Sequence, residues 1–313
     1  MRAALAICLV VVACGDGGSS SSDVSAPEVP RAGAPPRAKP KPVDLSLAPG
    51  LEMRHPIRDG NLAIVPIVAT GAMSNVHYLT LADGLARHEV TVREIGRGDA
   101  FMVDQVRIRN RSRQPLFVMT GELIEDGMQD RVLAEDRIIE PGKTVRVAVR
   151  CVEQGREDGH LQFHAHGTLV ELAVRQAVIH ETQMEVWSKV EDLNKAHGLH
   201  PSTKTYREIA ELQQRPENTA RRDRLVRALA ALPDRGALVG LAEVIDGRVV
   251  SVERFASAEL YGALESELLG AYIASDDGPP HEGRTFLPED VRAFAALPSS
   301  RITAASFTAV ARP

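Results

Sequence analysis

The hydrophobic period of this chain changes near Gly167, and that change limits what it can fold into. Before that residue, apolar side chains fall at alternate positions or in short unbroken runs, as strands require. After it they recur at helical spacing to about residue 232, and strand spacing then returns. Residues 61–70 (NLAIVPIVAT), 88–95, 101–109, 116–119 and 145–152 read as strands. Pro66 places the first of these at a sheet edge or a bulge, because it cannot donate to a ladder. In the last, Val145, Val147, Val149 and Cys151 share one face, with Arg146 and Arg150 on the other.

Helical character covers residues 80–87, 168–179 and 220–232. Thr182 and Glu185 form a T-x-x-E capping box for a helix that stops at Gly198. Ser202 caps another that ends before Pro216, and Ser257 and Pro288 each open one more. Asp246-Gly247 between GALVGLAEVI and RVVSVERF is a strong hairpin signal, and residues 302–308 form a weak terminal strand. The expected fold is α+β: a β-sandwich-like N-terminal part with flanking helices, then a C-terminal β-hairpin plus helices.

A content of 44% hydrophobic and 25% charged residues supports a real core, and no break divides residues 46–313 convincingly in two. The net charge of −5 argues against a nucleic-acid partner, and 4% aromatics leave little for base- or sugar-stacking platforms. Residues 1–14 read as a lipoprotein signal. Arg2 precedes an apolar run too short to span a bilayer, and Val11-Val12-Ala13-Cys14 resembles a bacterial lipobox. Residues 15–45, rich in Ser and Pro, read as a tether without a core of its own. The expectation is a protein anchored through lipid on Cys14 in the bacterial envelope, extracytoplasmic, with the membrane as one partner. Cys8 lies in the leader and Cys14 carries lipid, so Cys151 is left alone as a buried core thiol.

Residues 121–156, GELIEDGMQDRVLAEDRIIEPGKTVRVAVRCVEQGR, concentrate the candidate chemistry. Strand parity carried past Cys151 puts Glu153 on the buried face, where it needs Arg131 or Arg156 or must take up a proton. It then serves either as an acid–base group or in a structural ion pair. Glu122 stands beside it as the second candidate carboxylate. Glu125 and Asp126 read either as ligands for sugar hydroxyls or a hard cation, or as a solvated turn about Gly127. His160, His164, His166 and His180 lack the acidic or Cys partners of a zinc site, so a polar loop is the plainer reading. Trp187, on a helix stripe with Val190, reads as core. GxSxG and Walker A are absent, and no GxGxxG follows a strand. Nothing in the pattern names a cofactor.

The pieces GE-x-Q-x-RVL and CVEQGR resemble a bacterial family, the ARG and Rhodanese-Phosphatase-superfamily-associated Protein domain, where ARG stands for ADP-ribosylglycohydrolase. The likeness runs more loosely through Gln183-x-x-x-Trp187, Pro201-Ser202-Thr203 and Gly247-Arg248-Val249-Val250. It implies motif residues at Glu122, Gln129, Arg131, Glu153, Gln154 and Arg156, with Gln183 and Trp187 further out. Asp130 departs from the Asn usual in the family, and Glu157 stands where an aromatic is common. Two functions stay open. One is binding and hydrolysis of a small polar ligand, sugar-phosphate or ADP-ribose-like. There Glu122 or Glu153 acts as acid–base, Arg131 and Arg156 hold an anionic group, and Gln129, Gln154 and Gln183 orient the ligand. The other is a non-catalytic scaffold in which the same residues form a structural network.

Overall fold

The computed structural model describes residues 44–97, 100–156, 159–276, 285–296, 301–302 and 306–310. The leader, Cys14 and the tether up to residue 43 lie outside the described residues. Alternation in the first segment builds β1 (Ser46–Ala48), β2 (Leu51–Met53), β3 (Ile57–Asp59), β4 (Leu62–Ala69) and β5 (Leu79–Thr80). The Thr80 hydroxyl then caps α1 (Leu81–Ala86) by accepting from Asp83 N at 3.2 Å. There follow β6 (Val90–Arg97), β7 (Ala100–Asn110), β8 (Leu116–Val118), β9 (Glu122–Glu125) and β10 (Arg131–Leu133). β11 (Arg137–Ile139), β12 (Thr144–Cys151) and β13 (Gln162–Leu169) complete the β-rich half. The helices α2 (Leu172–His180), α3 (Gln183–Ala196), α4 (Arg207–Leu212) and α5 (Pro216–Ala230) come next. The hairpin β14 (Leu238–Ile245) and β15 (Arg248–Phe255), α6 (Ala258–Ala274), α7 (Pro288–Ala295), β16 (Arg301–Ile302) and β17 (Ser306–Val310) follow.

The fold is α+β. The layering expected of the N-terminal part takes the form of a closed barrel in the order β10-β12-β7-β6-β13-β9. Closure leaves these strands no free edge. Val92, Val106, Ile108, Ile124, Leu133, Val147, Val149 and Phe163 fill its interior. An eight-stranded sheet, β1-β2-β4-β14-β15-β17-β16 with β3 also on β4, joins the two ends of Asp44–Pro313. A third sheet, β11-β8-β5, is small, and β8 within it is buried throughout.

The large sheet is covered on both faces, which is why β4 reads as a continuous apolar run. Leu62, Ile64 and Val68 meet Leu225, Leu229, Leu264 and Leu268 of α5 and α6. Ala63, Val65 and Ile67 face Val291 of α7. Pro66 proves to be in a central strand, opposite Leu241 and close to a bulge in β14 between Leu238 and Gly240. Its outer side is where β4 changes neighbour, with β3 pairing residues 62–64 and β2 residues 67–69. Gly240 is required at that bulge, since a Cβ there would lie 2.1 Å from the Glu253 carbonyl oxygen.

Two local expectations shift. The histidine stretch read as a polar loop is β13, so Thr168 and Leu169 belong to a strand and α2 starts later, at Leu172. The helix expected from Ser202 starts only at Arg207. The backbone ahead of it is committed elsewhere: Thr203 O accepts from Gln154 N, and Tyr206 N donates to Val152 O. The Thr182–Glu185 capping box forms, Gly198 ends α3 at φ 67°, and Ser257 caps α6. Among the described residues no helix is long and apolar enough to cross a membrane.

Candidate functional site

The turn between β9 and β10 carries Asp126 at φ 68° and packs Gly127 so tightly that a Cβ would lie 2.1 Å from the Phe163 ring. This geometry drives Asp130 inward to zero exposure. Its carboxylate accepts from Arg156 at 3.0 Å, from Arg207 at 2.8 and 3.1 Å, from Thr205 Oγ1 at 2.9 Å and from Asp126 N at 3.2 Å. Arg207 also reaches Asp126 at 3.2 Å and Glu125 at 3.3 Å. Asp130 is therefore the hub of the network, at the position where sequence likeness points to Asn.

Glu153 is buried, 3% exposed, although β12 has already ended at Cys151. Its carboxylate accepts from Asp130 N at 2.9 Å and from Arg156 at 2.7 and 2.9 Å. Of the two cations expected for it, Arg156 is the partner. Arg131 turns the other way and binds Glu94 at 2.9 and 3.1 Å, both side chains all but fully buried. It also donates to the Val103 carbonyl and lies over the Phe163 ring, 5.8 Å from its centre. Gln183 brackets the backbone of Cys151 with bonds of 2.9 and 2.7 Å, acting as a strand-like clamp on β12. Gln129 and Gln154 are half-buried, and their side chains make no hydrogen bond among the described residues.

Glu122 is not brought to this cluster. It begins β9, about 10 Å from Glu125 at the strand's other end, and accepts from Met119 N at 2.6 Å. Burial above all, then the Glu267 carboxylate, pushes its pKa well above the usual range. Cys151 is buried, and burial also raises its thiol.

The open rim of the network is chemically different. Glu125 lies opposite His164 in the β9–β13 ladder, with His166 Nε2 3.6 Å from its carboxylate. Burial pushes Glu125 up to about 7, against the opposing Arg207 charge, with Asp130 and Asp126 adding to the rise. Burial and Arg207 together lower His166, so its imidazole is neutral at neutral pH. His166 Nδ1 lies 2.7 Å from Thr168 Oγ1, and this contact orients the ring. His164 Nδ1 sits 3.3 Å from Asp126.

His164 and His166 line a groove of about 580 Å³. Leu85 and Val90 supply apolar lining, His88 a further imidazole, and Arg93 and Arg111 two guanidiniums. His88 itself is held at φ 59°, a left-handed conformation unusual for a side-chain-bearing residue. Among the described residues no group of three or more His, Cys, Asp or Glu side chains is arranged to hold a metal ion. The rim carries two carboxylates, Glu125 and Asp126, against Arg207, while Asp130 and Glu153 lie buried beneath it with Arg156. The two rim carboxylates suit hydroxyl or amine donors, while Arg93 and Arg111 in the groove suit an anion.

The family model of the ARG and Rhodanese-Phosphatase-superfamily-associated Protein domain matches residues 50–298. The chain belongs to this family. No curated protein and no solved structure shows significant similarity to it. The stretch matched to this domain holds the Asp130 network, the Arg131–Glu94 pair and the whole groove.

Proposed function

We propose that the protein binds a small polar ligand of the sugar-phosphate class in the groove, and that His166, backed by Glu125, is the acid–base group for hydrolysis of its phosphate ester. Water is the incoming oxygen and the protonated sugar hydroxyl the leaving group. The observation that carries this reading is the polarity of the groove. His166, a neutral imidazole backed at 3.6 Å by the Glu125 carboxyl poised to about 7, lines the groove together with two exposed arginines, Arg93 and Arg111. A general acid–base works best with a pKa near the working pH, and Glu125 meets that condition. Sugar hydroxyls fit Gln162, His164 and His166, and a phosphate fits Arg93 and Arg111. No Phe, Tyr or Trp lines the groove, so a sugar phosphate suits it better than an ADP-ribose-like ligand whose adenine would ask for a stacking partner.

In this reading the residues singled out by likeness support the site from behind. Glu153, Arg156 and Asp130 hold Arg207 against Glu125. Arg131 and Gln183 fix the strands on which the rim is built. The envelope location follows from the leader: lipid on Cys14 anchors the domain on the extracytoplasmic side of a membrane.

A thermal-shift screen of the full chain against sugar phosphates, bare sugars and nucleotides tests the proposal. Stabilisation by sugar phosphates, reduced in His166→Ala, is expected. No shift with any sugar phosphate would favour the second reading, a scaffold. The internal bonds of Glu153 Oε2 to Arg156 and the near-total burial of Arg131 support that alternative.

A further inference from the structure

The outer face of the barrel concentrates positive charge on a chain whose net charge is −5. In the register of β6, β7 and β12, Arg93 pairs with Arg107 and Arg107 with Arg146, so three arginines stand in one row across three strands. The next row is Thr91, Arg109 and Thr144. Rows of this kind lie side by side at about 4.8 Å between strands and about 6.8 Å along them. Arg93, Arg107, Arg109, Arg111 and Arg146 are all exposed. Like charges directly opposite one another destabilise a sheet. Yet none of the five has an acidic partner among the described residues. Arg93 has only Gln162 at 3.4 Å, and Arg146 only the Met102 sulfur at 3.9 Å.

The face is concave as well as charged. A groove of about 290 Å³ is lined solely by Thr91, Arg93, Arg107, Arg109, Arg111 and Thr144. Every functional group in that lining is a guanidinium or a hydroxyl, with no carboxylate to repel an anion. Thr91, Arg93 and Arg111 also line the larger groove, so the two are continuous. Four planar guanidiniums offer more bidentate donors than a single phosphate can accept, and match a run of two or three phosphates. A single-stranded nucleic acid would call for aromatic stacking platforms, and no aromatic lines the groove.

We infer that the arginine-lined groove on the β6–β7–β12 face is the binding site for an oligophosphate group, so that the ligand carries a di- or triphosphate rather than one phosphate. The inference deepens the sugar-phosphate reading and rests on it only for the sugar end. The row of unpaired arginines stands on its own.

Isothermal titration of the full chain with inorganic tripolyphosphate at low salt tests it. One equivalent should bind, at least tenfold tighter than orthophosphate, with affinity falling as salt rises. Arg107→Gln/Arg109→Gln should weaken binding at least a hundredfold without lowering the melting temperature, because relieving like-charge contacts does not harm the sheet. His166→Ala should leave tripolyphosphate affinity within about twofold, since that ring lies in the other groove. No binding at millimolar tripolyphosphate, or affinity indifferent to the double substitution, would overturn the inference. So would tight binding of single-stranded RNA or of vesicles rich in anionic lipid that tripolyphosphate fails to displace. Tripolyphosphate binding without any response to sugar phosphates upholds this site and ends the sugar reading. Binding of sugar phosphates alone does the reverse.

Discussion

Replacing Arg131 by methionine separates a fold-holding network from a ligand site. Arg131 and Glu94 are 1% and 0% exposed at the side chain and meet at 2.9 and 3.1 Å. Methionine keeps much of the stem volume but leaves the Glu94 carboxylate with one donor, Met128 N at 3.0 Å. It also removes the bond to the Val103 carbonyl and the cation over Phe163. Taking one partner from a buried ion pair costs about 3–5 kcal/mol, against a total stability of roughly 5–15 kcal/mol for a domain. At about 2–4 °C per kcal/mol for a chain of this size, the melting temperature should fall by roughly 6–20 °C. Urea unfolding followed by circular dichroism gives the free energy directly. Arg131→Met/Glu94→Gln removes both charges while keeping an acceptor for Met128 N, and should recover about half of the loss or more. A loss below about 1 kcal/mol, or no recovery in the double variant, would show that the Arg131–Glu94 pair does not hold the fold.

Further outcomes follow from the same geometry. Asp130→Asn keeps the shape of the hub but removes the charge facing Arg156 and Arg207, and should cost about 1.5–3 kcal/mol by chemical denaturation. Glu125, raised to about 7, and Glu243, raised to about 8 by burial and then by Glu253, favour their protonated forms in the folded state. Their contribution is full below the unfolded carboxyl pKa and is lost as pH rises, so melting temperature should decline through pH 7–8. Glu125→Gln should flatten the lower part of that decline, and gain about 1–2 kcal/mol at pH 8, a value reduced because solvent reaches the rim. Cys14→Ala should move the protein from the membrane to the soluble fraction, and unchanged fractionation would end the lipid-anchor reading.

Much of the fold was legible because its signals are local. The Asp246-Gly247 turn adopts φ 52° and 72°, as the sequence pair demands, and the Thr182 box closes within four residues. The 145–152 strand places Val147, Val149 and Cys151 inward as its alternation implies. What escaped depends on long-range pairing. Barrel closure needs β13 to bridge β9 and β6, and β13 carries polar and histidine residues in place of a plain apolar stripe.

The candidate site divides the same way. The carboxylates of residues 121–156 were visible, and Glu153 with Arg156 is a local pair. Arg207, however, reaches Asp130 across 77 positions, and Glu94 reaches Arg131 across 37. Neither partner could be found from spacing. Arg107, Arg109 and Arg111 could have been seen as an alternating basic run, but their alignment with Arg93 and Arg146 exists only in the register of three strands.

Calorimetric titration of the full chain measures whether the groove lined by His166 and Arg111 holds a sugar phosphate. Ribose 5-phosphate should bind at least tenfold tighter than ribose. His166→Ala and Arg111→Gln should each weaken that binding at least tenfold while unfolding stays within about 1 kcal/mol of the parent. Equal affinity for ribose and its phosphate, or binding untouched by either substitution, would contradict a sugar-phosphate site there.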